Sequence, residues 1–316
     1  MRRILVPLDG SPLSETAVPY AKALAAGSGC ELSLLSVWEV LPEELEIVGE
    51  AHARVLRDQG MRYFRTYLTN VAAALEDRFA SCEVRAGHPA FEIMLAAAEL
   101  DADFVVMASH GRRGAAERRR GSVADKVLRG SSVPVLVVGP AVLQNPPTGP
   151  IGVRSLVLPL DGSRESESAV GVAIEIARAM GAQITLLRVV PPVFTAVEIG
   201  MPDAYPPELD RHLVKSARSY LKQFRTAYPD VITSSVVERG PAAKAIVEFV
   251  NQIRPDLVVM ASRSRYSTGR WALGSVADDV IEGPVPVVIV HPAAEVTEPL
   301  SAAALAAHLR SGPPPR

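Results

Sequence analysis

The feature that most constrains this chain is that it repeats itself. ILVPLDGS at 4–11 returns as LVLPLDGS at 156–163, and ELSLLSV at 31–37 returns as QITLLRV at 183–189. DADFVVMAS at 101–109 returns as RPDLVVMAS at 254–262, GSVADKV at 121–127 as GSVADDV at 274–280, and VPVLVV at 133–138 as VPVVIV at 285–290. Asp9 recurs as Asp161 and Ala108 as Ala261, an offset of 152 residues early in the chain and 153 later. Five blocks in one order at a near-constant offset indicate a duplicated domain, and 316 residues are enough for two. The expected organisation is a first domain over 1–140, a linker over 141–152, a second domain over 153–293 and a mobile tail over 294–316. The linker AVLQNPPTGPIG is rich in Pro and Gly and lacks apolar periodicity. The tail has room for a short Ala/Leu helix before it ends in SGPPPR.

Within each copy, short apolar runs alternate with helical patterns. In the first, ILVPL reads as a buried strand. A helix follows, with Ser11 at the N-cap and Pro12 at N1, closing on the glycines of AAGSG. ELSLLSVW is the second strand, a long helical pattern covers roughly 50–79, and SCEVRAG is the third strand. PAFEIMLAAAEL is a helix, DFVVMAS the fourth strand, SVADKVLRG a short helix and VPVLVVG the fifth strand. Strands apolar on both faces and separated by helices predict a parallel sheet covered on each side, an α/β fold.

Composition narrows the function classes. With 48% hydrophobic and 22% charged residues, the chain reads as a globular protein with a real core. A net charge of −2 gives no support for a nucleic-acid or anionic-membrane partner, and 5% aromatic residues supply little base-stacking surface. Cys30 and Cys82 read as reduced structural thiols, with no Cys/His spacing suited to a metal. MRRILVPLDGS runs directly into a strand without the apolar core of a signal peptide, and no apolar run is long enough for a membrane span. The expected location is the cytoplasm.

The stretch VVMASHGRRGAAERRRGSVADKV, 105–127, carries the chemistry. Gly111 and Gly121 permit close backbone approach and left-handed angles. Ser122 opens a helix whose first amides, at Val123 and Ala124, can face an anion. Arg112, Arg113 and Arg118 to Arg120 either neutralise phosphates or form a solvated loop face. Asp9 can contact a ligand or can simply shape the turn before the first helix. His110 stands alone, without the partners of a catalytic triad, and His88 before Pro89 reads as a loop residue. No Walker A, HExxH or G-x-S-x-G pattern occurs, so no catalytic residue is assigned.

The V-P-x-D-G-S start, the A-S-H-G-x9-G-S-V-A block and the following V-P-V-L-V-V closely resemble the universal stress protein family, over residues 1–140 and 152–291. The resemblance implies two tandem doubly wound domains of the adenine nucleotide alpha hydrolase-like, Rossmann-like kind. Each would be a five-stranded parallel sheet of order 3-2-1-4-5. In such a sheet ligands sit beyond the strand carboxyl ends where the order reverses, here between strands 1 and 4.

The family's nucleotide motif, G-x2-G-x9-G-(S/T), appears as Ala108-x2-Gly111-x9-Gly121-Ser122. By resemblance, Pro7, Asp9 and Val37 line the adenine and ribose end. Met107, Ala108, His110, Gly111, Gly121, Ser122, Val123 and Ala124 hold ribose and phosphates. The second copy reads Ala261-x2-Ser264-x9-Gly274-Ser275, with Pro159, Asp161, Val189, Met260, Arg263 and Val276 at matching places. Two motif glycines are replaced there, so the nucleotide is expected mainly in the N-terminal domain. The arginines at 118–120 also depart from the family, which is apolar there, as Trp271, Ala272 and Leu273 are in the second copy.

Three readings follow. The first is an ATP-binding regulatory protein of the stress response, with or without Mg2+. The second is a stress scaffold that binds no nucleotide, and the third a slow ATPase. The resemblance also implies pairing through the fifth strands, 133–138 with 285–290, as an intramolecular pseudo-dimer, with further homodimerisation left open.

Overall fold

The computed structural model describes residues 1–39, 42–73, 75, 79–110, 121–147, 149–191, 207–262 and 273–292. The chain divides into two compact units, residues 1–136 and 137–292. The arginine-rich loop, Gly111, Arg263, Ser264, Trp271, Ala272 and the tail all lie outside the described residues.

The first copy runs β1 (Arg3–Pro7), α1 (Pro12–Glu15), α2 (Val18–Ser28), β2 (Glu31–Trp38), α3 (Pro42–Ala73), β3 (Phe79–Ala86), α4 (Pro89–Glu99), β4 (Phe104–Ala108), α5 (Ser122–Gly130) and β5 (Val135–Val138). Its strand order is β3-β2-β1-β4-β5. β1 pairs in parallel with β2 and with β4, in the registers Pro7↔Leu35 and Ile4↔Phe104. The second copy runs, after a one-turn helix α6 (Pro140–Gln144), through β6 (Ser155–Pro159), α7 (Arg164–Met180), β7 (Gln183–Val190), α8 (Pro207–Ala227), β8 (Ile232–Arg239), α9 (Ala242–Ile253), β9 (Leu257–Ala261), α10 (Ser275–Ile281) and β10 (Val287–Val290). Its order, β8-β7-β6-β9-β10, repeats that of the first.

β1, β4, β6 and β9 are buried along nearly their whole length, whereas the described residues of β3 and most of β8 are partly exposed. Ile4, Leu5, Leu32, Val106, Val157, Leu186, Val258 and Val288 are each at most 1% exposed. An aspartate ties the fourth strand to the start of the first. Asp103 accepts the backbone N–H groups of Arg2 and Arg3, and Asp256 accepts those of Arg154 and Ser155 at 2.8 and 2.9 Å. Each carboxylate takes up two donors at a strand edge that would otherwise need water.

Three expectations are corrected. The single helix expected after Ser11 is two helices, α1 and α2. Pro19 has no N–H for the Glu15 carbonyl, and its ring crowds that carbonyl, so the rod breaks at Thr16 and Ala17. The second copy has no proline there, and α7 runs unbroken for 17 residues. The linker opens not as coil but as α6, with Pro140 at its first turn and Val142 and Leu143 buried. The long helix also starts earlier than its periodicity suggests, at Pro42, and ends at Ala73.

Candidate functional site

The crevice predicted between strands 1 and 4 is built in the same way in both domains. Beyond β1 the chain turns sharply at Gly10, φ +81°, and beyond β6 at Gly162, also φ +81°. Asp9 Oδ1 accepts from Ser11 N at 3.0 Å and from Ser11 Oγ at 2.6 Å. Ser11 Oγ in turn accepts from Ser14 N at 3.1 Å and caps α1. The second copy repeats this. Asp161 Oδ1 accepts from Ser163 N at 2.9 Å and Ser163 Oγ at 2.5 Å, and Ser163 Oγ accepts from Ser166 N at 3.1 Å to cap α7. The DGS motif therefore shapes a turn and a helix cap. Each aspartate commits Oδ1 to this turn, and Asp161 also lines the crevice of its domain.

The far wall comes from the fourth strand and the helix after the loop. Met107, Ala108, Ser109 and His110 are buried at 5%, 6%, 0% and 6% exposure. His110 Nδ1 lies 3.1 Å from Ser109 Oγ, so the ring is held by its neighbour. Gly121 N donates to Ser109 O at 2.8 Å, which closes the loop at its base. Gly121 is the N-cap of α5 at φ −60° and ψ 147°, so a left-handed angle is not its reason for being glycine. The reason is proximity, since an added Cβ would stand 3.1 Å from Ser109 O. No side chain caps α5, and the amides of Ser122, Val123 and Ala124 have no acceptor within the helix. Ala108 and Ala261 end strands in ordinary extended geometry, so replacing the motif's first glycine introduces no backbone strain.

In the second domain these walls enclose a cleft of about 580 Å³, a volume suited to a small-molecule ligand. Pro159, Asp161, Val189, Met260, Ala261, Gly274, Ser275 and Val276, all expected from the sequence, line it together. Gly274 N donates to Ser262 Oγ at 3.0 Å, a side-chain version of the loop closure seen at Gly121. α10 begins at Ser275, again with no side-chain cap. Sequence reasoning missed Ser163, Ser166, Leu187, Ala242 and Ile246, which also line the cleft. The serines sat unread inside the DGS motif and one helical turn beyond it. Ala242 and Ile246 come from α9, whose approach no local spacing announces.

In the first domain Pro7, Asp9, Val37, Met107, Ala108, His110, Gly121, Ser122, Val123 and Ala124 occupy the equivalent strand ends and helix start. One difference is concrete. Arg188 on β7 replaces Ser36 on β2. Ser36 Oγ donates to Leu8 O at 2.7 Å, whereas the Arg188 guanidinium lies against Gly162 and 5.1 Å from the Tyr220 ring centroid.

The universal stress protein family model matches the chain twice, over residues 1–139 and 152–291. The chain belongs to the universal stress protein family. A universal stress protein of Mycobacterium tuberculosis is 27% identical over 305 residues, covering 91% of this chain and 96% of that one, so the tandem arrangement is shared. A universal stress protein of Methanocaldococcus jannaschii is 32% identical over 142 residues, 43% of this chain and 81% of that one. Against a universal stress protein of Mycolicibacterium smegmatis, the match covers 43% of this chain and 45% of the relative. The solved universal stress protein of Archaeoglobus fulgidus has a TM-score of 0.66 at 21% identity, covering 92% of this chain and 98% of that one, and shows the common fold. Among the described residues, no helix is long and apolar enough to cross a membrane.

Proposed function

We propose that this universal stress protein is an adenine-nucleotide-binding regulatory protein of the stress response. The observation that carries the reading is the cleft at the carboxyl ends of β6 and β9, whose walls have the right chemistry in the right order. Pro159, Val189, Leu187 and Met260 offer an apolar slot for a base. Asp161 stands at its mouth as an acceptor for ribose hydroxyls, and the uncapped start of α10 offers amides to phosphates. The first domain carries the same positions and keeps Gly111 ahead of Gly121, which favours it as the main site for ATP, taken up with or without Mg2+.

The test is titration of ATP into nucleotide-stripped full-length protein by calorimetry, with and without Mg2+. Binding that Gly121→Val reduces more than Gly274→Val supports the N-terminal preference. No heat, together with no nucleotide released on denaturing freshly purified protein, overturns the reading in favour of a scaffold.

The same reading includes assembly. β5 and β10 are the last strands of their orders and consist of apolar residues only, VLVV and VVIV. Such edges need covering, and the proposal is that they cover each other within one chain. Cross-linking of cysteines placed at the two strands tests it, and failure of every register to cross-link refutes it. The domain limits 1–140 and 153–293 are part of the proposal, to be tested by limited proteolysis.

A further inference from the structure

A second feature lies on the helix face of the second domain. On α8, Arg211, Lys215, Arg218 and Lys222 recur at intervals of four, three and four residues, so they form one stripe. All four are exposed. With Arg239 from the end of β8 they line a groove of about 330 Å³ floored in part by Val214. Arg239 donates to Asp210 at 2.5 Å. Among the described residues, the four helix cations have no ion-pair partner, and α8 carries no acid after Asp210.

A solvated helix face ordinarily mixes signs, as α7 does with Arg164, Glu165, Glu167, Glu175 and Arg178. The duplication supplies an internal control. The positions matching Arg211, Lys215, Arg218, Lys222 and Arg239 are Asp58, Arg62, Arg65, Thr69 and Ala86. A charge that the fold required would stand in both copies. The like-charge stripe stands in one, where mutual repulsion disfavours it unless an anion is present.

We infer that this groove docks an acidic, extended segment of a partner protein, one rich in Asp and Glu at alternate positions. Successive cations rise by about 6, 4.5 and 6 Å along the helix axis. Alternate residues of an extended peptide are about 6.6 Å apart, close enough for flexible Lys and Arg ends to pair with each. From Arg211 to Lys222 the stripe spans about 16.5 Å, the length of about five extended residues. A nucleic acid would present the same charge, but no aromatic side chain lines the groove to stack its bases. Tyr220 is turned away, its hydroxyl donating to Glu167 at 2.9 Å, and its ring packs against Phe224.

The test uses the full chain and a fluorescein-labelled peptide of alternating Glu and Ala with six glutamates, read by fluorescence anisotropy at low salt. Lys215→Gln with Arg218→Gln is expected to weaken binding about tenfold, the sum of two exposed charge pairs. The control Arg62→Gln with Arg65→Gln on the first copy leaves it unchanged. Affinity should also fall steeply as salt rises. Equal binding by the Lys215/Arg218 variant overturns the inference. Tighter binding of an oligothymidylate of equal charge, displacing the peptide, also overturns it and assigns the groove to nucleic acid.

Discussion

Substituting Gly60 tests how the long helix seats against the sheet. Gly60 lies inside α3 and is buried. Replacing an open helical glycine by alanine gains about 1 kcal/mol. Here an added Cβ would stand 2.1 Å from Trp38 Cε3 and 2.2 Å from Cζ3. These atoms belong to a rigid ring rather than to a flexible chain end. Trp38 cannot retreat freely, because Phe64 meets it edge-on with centroids 6.4 Å apart, and Phe64 is 1% exposed. Overpacking of this kind costs about 1–3 kcal/mol, and so hard an overlap belongs at the upper end.

Set against the propensity gain, Gly60→Ala should lose about 2 kcal/mol, lowering the melting temperature of the first domain by roughly 6 °C. The second copy shows the compensated arrangement, with Leu213 and Val190 at the matching positions. Trp38→Val should therefore rescue Gly60→Ala, with a coupling of about 2 kcal/mol in a double-mutant cycle. Urea unfolding followed by circular dichroism, fitted with separate transitions for the two domains, measures both quantities. A stabilised Gly60→Ala, or a cycle that closes additively, would refute the steric argument.

Other consequences are open to direct measurement. Ser163→Ala removes the α7 cap and the hydroxyl that donates to Asp161, and should cost about 1 kcal/mol in urea unfolding; a neutral result would mean water replaces the cap. Asp103 is pushed up by burial, but the backbone donors of Arg2 and Arg3 and nearby positive charge outweigh this and hold it below the usual carboxylate value. Its folded value being depressed, its stabilisation is complete above the usual carboxylate range and is lost as pH falls through the folded value. Asp103→Asn should accordingly flatten the acid limb of stability against pH. His88 is held below its ordinary value first by burial and then by Lys126, whose Nζ lies 2.9 Å from Nε2. Lys126→Met should move the His88 NMR titration upward, and an unmoved midpoint would dismiss the charge contribution.

Much of this fold is written in separated, readable blocks. The repeats placed the strands, because β1, β4, β5 and their second-copy counterparts are short apolar runs bounded by turn residues and buried along nearly their whole length. Ser11 read correctly as the start of a helix, since capping is local chemistry. The break before α2 was legible in Pro19 but masked by the strong apolar pattern around it. α6 was obscured because five residues carry too little periodicity to separate from a Pro-rich linker. Of the residues lining the cleft, the strand-end positions, Asp161 and the start of α10 were legible in the sequence, whereas Ser163, Ala242 and Ile246 were not. The part of the last two in the cleft depends on how α9 crosses the sheet, which is tertiary information.

The break at Pro19 makes the two crevices mechanically unlike. In the first domain the turn carrying Asp9 ends in a four-residue helix, and Thr16 and Ala17 separate it from α2. In the second, the turn carrying Asp161 is fixed to a continuous rod of 17 residues that reaches Met180. Any displacement at Asp161 must swing that rod or be resisted by everything packed along it. The Asp9 turn is thereby joined directly to four helical residues and the Asp161 turn to seventeen, a lever arm whose far end lies at Met180.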